Sequence, residues 1–159
     1  MQGGDFDELQ FFKAVAMSNC RALLIGRREL VALGLPVLTA DYDYWIHIDD
    51  IARFNEAALP FSLTPTHSPQ EARRRGRYAL ENDEHIDVMV ARSVPTVDGV
   101  VVAFDDVWSR RRGVSLSPDV AVALPSHADL ISTKRFVARA KDIEDIRLLE
   151  ILASKDHQP

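Results

Sequence analysis

The most constraining feature of this 159-residue chain is the run Asp41-Tyr42-Asp43-Tyr44-Trp45-Ile46-His47-Ile48. Successive side chains of a strand point to opposite faces. Tyr42, Tyr44, Ile46 and Ile48 therefore share one face, and Asp41, Asp43, Trp45 and His47 the other. The first set reads as core. The second opens with two carboxylates on one face, a compact pair of oxygen ligands. β-favouring residues on both faces predict a strand over 42–48.

Helices and strands interleave along the rest of the chain. Phe6, Leu9, Phe12 and Val15 stand at helical spacing, which predicts an amphipathic helix over 6–18 with Asp5 as its cap. Ala22-Leu23-Leu24-Ile25 reads as a buried strand that ends at Gly26, with a short helix from Arg27 to Leu33 behind it. Asp49 or Asp50 would cap a helix over 51–58, which Pro60 ends. Residues 61–70 read as loop, and Ser68-Pro69 starts a helix from Glu71 to Leu80. Strands follow over 85–91, 100–104 and 120–124, a helix over 105–112, and C-terminal helices over 129–139 and 142–153. The expectation is a single α/β (α+β) domain over 1–159: a mixed sheet flanked by helices, with its core in about 20–125 and C-terminal helices in about 127–153.

A third carboxylate joins the pair at 41 and 43. Asp87 sits in Ile86-Asp87-Val88-Met89-Val90, where burial would be costly unless it were paired, protonated or bound to a metal. If the two strands are neighbours, Asp41, Asp43 and Asp87 meet at one spot. Three carboxylates without a Cys/His pattern suit Mg²⁺ or Mn²⁺ better than zinc. An Asp-x-Asp pair alone also serves as turn or cap residues. Gly26, at a strand-to-helix junction, would let backbone N–H groups approach a phosphate, or simply make a tight turn.

The order strand-Gly26-helix, then Thr39-x-Asp41-x-Asp43 entering a strand, then a later strand with Asp87, resembles the nucleotidyltransferase superfamily with the polymerase-β-type fold. Asp129-Leu130-Ile131-Ser132-Thr133-Lys134 and Arg139-Ala140-Lys141-Asp142-Ile143-Glu144-Asp145-Ile146 resemble a segment of small bacterial nucleotidyltransferase-like proteins, including AbiEii-type toxin components of toxin–antitoxin systems. The resemblance spans residues 20–150 in coarse terms, and 51–84 match little. It implies an enzyme that transfers a nucleotidyl group from a nucleoside triphosphate to a hydroxyl of an RNA, protein or small-molecule acceptor. Asp41, Asp43 and Asp87 would be catalytic and bind Mg²⁺ (or Mn²⁺), with Asp87 assisting deprotonation of the acceptor. Gly26, Arg27 and Lys134 would contact the nucleotide. An antitoxin-like partner also follows from this likeness. The alternative is a nucleotidyltransferase-like protein that no longer turns over and binds a nucleotide or a partner. Arg27 bears on that choice, because the family places a small residue there: a guanidinium could pair with phosphate or crowd the pocket.

Charge and composition bound the alternatives. Nineteen basic against 24 acidic residues give a net of −5, which argues against a generic polyanion or membrane-surface binder but leaves a local nucleotide site open. Cys20 is the only cysteine, so an intrachain disulfide is impossible and a reducing cytoplasm is the expected setting. The apolar runs are strand-sized, well short of the roughly 18 residues a spanning helix needs. Arg73, Arg74, Arg75 and Arg77 read as a solvated helix face or an acceptor patch, and Arg110 to Arg112 likewise. The five histidines show no catalytic or metal spacing, although His47 and His85 stand on strands beside the aspartates. The chain is short for this superfamily, so the cleft would be open or completed by a second subunit.

Overall fold

The computed structural model describes residues 6–25, 42–95 and 100–134, the last three by backbone alone. In chain order the elements are α1 (Glu8–Met17), β1 (Ala22–Ile25), β2 (Tyr42–Ile46), α2 (Ile51–Ala58), β3 (Thr64–Pro65) and α3 (Pro69–Arg75). Then come β4 (Arg77–Glu81), β5 (His85–Met89), β6 (Ser93–Pro95), β7 (Val101–Ala103), α4 (Phe104–Ser109), β8 (Arg112–Ser117), β9 (Val120–Leu124) and α5 (His127–Lys134). Five strands form one mixed sheet in the order β1-β2-β5-β4-β3, and β6-β7 and β8-β9 are separate two-stranded pairs. β2 runs parallel to β5, and the other pairings of the main sheet are antiparallel. The expected class, a mixed sheet flanked by helices, is what the chain forms.

The aromatic alternation in β2 organises the core. Tyr42, Tyr44 and Ile46 join Ile86 and Val88 of β5 and Tyr78 and Leu80 of β4 on one sheet face. Phe11 and Phe12 of α1 and Phe54 of α2 cover that face, with Phe11 and Phe54 edge-on to Tyr44. Each fully buried ring or branched aliphatic contributes roughly 1.5–3 kcal/mol relative to its exposed state. The opposite face carries a second, smaller core: Leu23 and Trp45 against Val94, Val102, Phe104 and Val107. The indole N–H of Trp45 donates to the Ala91 carbonyl at 2.8 Å, so its burial leaves no polar group unsatisfied.

Several local expectations are corrected. Asp7, not Asp5, caps α1, accepting from the Gln10 amide at 3.1 Å. Leu9 is 41% exposed, and Phe11 takes its place in the packing stripe. Asp50 precedes α2 but makes no side-chain cap, because its carboxylate is turned back to Arg21. The helix from Ser68-Pro69 stops at Arg75: Gly76, at φ +80°, ends it in the left-handed conformation, and 77–81 form a strand. The helix expected over 105–112 covers 104–109, and Arg112 already belongs to β8, a strand the sequence did not announce. The helix after Arg27 and the one over 142–153 lie outside the described residues. No described helix is long and apolar enough to cross a membrane.

Candidate active site

The register of three strands assembles the site. Asp43 of β2 stands opposite Ile25 of β1 on one side and Asp87 of β5 on the other, and Asp87 in turn opposes Ala79 of β4. The two carboxylates, distant in sequence, thus occupy neighbouring positions on the same sheet face. One row further along β2 and β5, Trp45 opposes Met89 and the small core begins. That core anchors the carboxylate end of β2 from the side on which the carboxylates project.

Asp87 is not buried, contrary to the expectation from its apolar neighbours; its side chain is 58% exposed. The strand alternates strictly, so Ile86 and Val88 enter the main core while His85 and Asp87 face outward. The cost of burying a lone carboxylate therefore does not arise; what sets Asp87 apart is its place beside Asp43. His85 Nε2 lies 2.8 Å from Asp87 Oδ1, and its Nδ1 lies 3.1 Å from Glu81 Oε1. Asp87, then Glu81, raises the pKa of His85 above its usual value, so the charged imidazole is favoured.

The donor set fits a hard divalent cation. Mg²⁺ is commonly held by one or two carboxylates together with phosphate oxygens and water, and Asp43 and Asp87 supply two carboxylates side by side. Among the described residues, no group of three His, Cys, Asp or Glu side chains is arranged to hold a metal. Asp41, Gly26 and Arg27 lie outside the described residues, as does the side chain of Lys134. The segment over 139–146, which carries the likeness to toxin components, lies outside them too.

Other sequence candidates have structural roles here. His47 packs edge-on to Phe104, and its Nδ1 accepts from the Asp49 amide at 3.0 Å. Arg73 pairs with Asp49, while Arg74 and Arg75 both pair with Glu71, so most of the arginine run is an ion-paired helix face. Arg110 pairs with Asp129, and Arg111 lies over the Trp108 ring at 4.0 Å. Among the described residues, Arg21 and Asp50 form the most buried ion pair: the Arg21 amide, Nε and Nη2 all donate to that carboxylate, at 2.8, 2.8 and 3.0 Å. Burial alone would raise the Asp50 pKa, but the Arg21 hydrogen bonds overcome it and hold the carboxyl below its usual value. The helix expected from Glu71 to Leu80 gives Glu81 no strand partner; on β4 it stands directly opposite His85.

No protein-family model and no curated protein matches the chain. Solved structures do. The antibiotic-resistance factor ANT(2'')-Ia is similar with a TM-score of 0.62 and 14% identity, over 88% of this chain and 78% of that one. The lincosamide antibiotic adenylyltransferase LnuA, solved with lincomycin bound, is similar with a TM-score of 0.62 and 12% identity, over 92% of this chain and 98% of that one. A candidate nucleotidyltransferase from Thermotoga maritima gives a TM-score of 0.59 and 13% identity, over 87% and 86%. With its mixed sheet and its helices arranged as in these proteins, the chain has the nucleotidyltransferase fold.

Proposed function

We propose that the chain is a metal-dependent nucleotidyltransferase, moving a nucleotidyl group from a nucleoside triphosphate to a hydroxyl of an acceptor. The observation that carries this reading is the register pairing of Asp43 with Asp87 on adjacent parallel strands of this fold. In the proposed reaction the acceptor oxygen forms a bond to the α-phosphorus as the bond to the β-phosphate oxygen breaks, and pyrophosphate leaves. Asp43 and Asp87, with Asp41 beside them, would hold Mg²⁺ or Mn²⁺. Such an ion, when bound, offsets charge on the phosphates. Asp87, whose side chain is open to solvent, would take the proton of the acceptor hydroxyl. Gly26, Arg27 and Lys134 would contact the triphosphate. Arg27, where the superfamily has a small residue, favours a second reading: a protein of this fold that binds a nucleotide without turnover.

Calorimetric titration with each nucleoside triphosphate, with and without Mg²⁺, on wild type and Asp43→Asn tests the proposal. Metal-dependent binding that the variant loses is the expected result. A chain that binds no triphosphate under either condition is neither enzyme nor nucleotide-binding module. Binding without release of pyrophosphate toward any hydroxyl acceptor selects the second reading.

A further inference from the structure

The geometry points to a positioning role for His85, which, braced by Glu81, holds the Asp87 carboxylate in the orientation the site uses. This rests on the nucleotidyltransferase reading and adds two residues to it. The contacts are built into the sheet. Glu81 and His85 are direct partners across β4 and β5, and His85 and Asp87 stand two residues apart on one strand face. The imidazole therefore lies between two carboxylates. Nε2 meets Asp87 Oδ1 at 2.8 Å and Nδ1 meets Glu81 Oε1 at 3.1 Å. A ring with an acceptor at each nitrogen has its orientation fixed, and it fixes one oxygen of Asp87 in turn. An exposed carboxylate at a strand position otherwise rotates freely about its side-chain torsions, and a ligand or base must be held within a narrow range of geometry to act.

A purely stabilising role does not account for the arrangement. All three side chains are half exposed or more, at 50, 53 and 58% for Glu81, His85 and Asp87. Pairs that open to water contribute little to folding. The chain of contacts instead ends on a residue of the candidate site, much as outer carboxylates orient metal-bound histidines elsewhere.

The test compares His85→Ala with His85→Gln. Both remove the ring, but only Gln keeps an N–H donor able to reach Asp87. Affinity for Mn²⁺·ATP, read by calorimetry or by Mn²⁺ spin resonance, is measured on both variants, on Glu81→Gln and on Asp43→Asn, with melting temperatures alongside. The expected result is that His85→Ala binds about fivefold more weakly than His85→Gln, at melting temperatures equal within about 2 °C, and that Glu81→Gln shows a smaller loss. Equal affinities for His85→Ala and His85→Gln overturn the positioning role, as does a loss of affinity matched by a loss of folding stability. If Asp43→Asn abolishes binding while the two His85 variants agree, only the positioning role fails. If wild type binds neither ATP nor any other nucleoside triphosphate with Mn²⁺, both readings fall together.

Discussion

The ion pair between Arg21 and Asp50 offers the sharpest quantitative test of how this sheet is held. Asp50 is 2% exposed, whereas the Arg21 side chain keeps 39% of its surface in water. The two partners are therefore not equivalent. Arg21→Ala strips two charge-assisted hydrogen bonds from a buried carboxylate and leaves it only the backbone N–H of residue 21. Breaking a fully buried pair costs about 3–5 kcal/mol; discounting for the water that reaches Arg21 brings this to about 2–3 kcal/mol. Asp50→Asn keeps an acceptor for that backbone N–H and lets the guanidinium turn to solvent, so its cost is about 1–1.5 kcal/mol. The double variant Arg21→Ala/Asp50→Asn carries no buried charge and is more stable than Arg21→Ala alone. Urea denaturation of the four proteins closes the cycle. A double variant less stable than Arg21→Ala, or an Asp50→Asn as damaging as Arg21→Ala, would refute the account. The pH dependence adds a second arm. Arg21 holds the Asp50 carboxyl low, so the pair's contribution is complete above about pH 4 and is lost as pH falls through the lower folded value. Without Arg21, burial raises the Asp50 pKa instead, so acid relieves the variant. The stability gap between wild type and Arg21→Ala narrows between about pH 6 and pH 3.

Three further outcomes are expected. Gly76→Ala lowers stability by about 1–2 kcal/mol through its φ of +80° and not through a clash, since the nearest atom to an added Cβ is 3.6 Å away; Gly76→Asn, which tolerates that conformation better, costs less in the same melt. Cys20, whose pKa burial pushes up to about 12 with help from the nearby Asp50, reacts with a disulfide reagent at pH 8 only after unfolding; rapid labelling of the native protein would contradict its placement. Mg²⁺ at about ten times its dissociation constant raises the melting temperature by roughly 3–6 °C, from about 1.4 kcal/mol of linkage, and Asp43→Asn cancels the gain. An unchanged wild-type melt at about 10 mM Mg²⁺ leaves the carboxylate pair without a cation to hold.

Much of the fold is legible because alternation is strong in β2, where Tyr42, Tyr44 and Ile46 announce one face. In β5 the apolar run over 86–90 masks the alternation that sends Ile86 and Val88 inward. The neighbour relation of Asp43 and Asp87 does not follow from either strand alone, since strand order is decided by crossover geometry that no local pattern carries. Where the reading failed, the cause is local. Arg73 to Leu80 continues a helix-compatible composition straight through Gly76, and the turn there is held by long-range partners: the Gly76 carbonyl accepts from the Val90 and Ala91 amides at 2.8 and 3.2 Å. Asp87 was read as costly to bury because its neighbours are apolar, yet strand geometry sends it to the opposite side from both of them. Of the two cap candidates, Asp49 and Asp50, the second gives its carboxylate to a long-range partner, Arg21, in place of the local amide. The Glu81–His85–Asp87 chain was hidden by the same helix assignment, for Glu81 faces His85 only once 77–81 is extended.

The parallel pairing of β2 with β5 has a kinetic consequence. All other pairings of the main sheet are antiparallel, whereas this one joins two strands that α2, β3, α3 and β4 separate in sequence. Local hairpins such as β8–β9 and β4–β5 close short loops and form early, whereas a parallel crossover carries the entropy of a long one. Asp43 and Asp87 become neighbours at that closure and not before. The carboxylate pair is thus a reporter of the finished topology: a partly folded chain can hold its secondary structure and much of its aromatic core and still present no site.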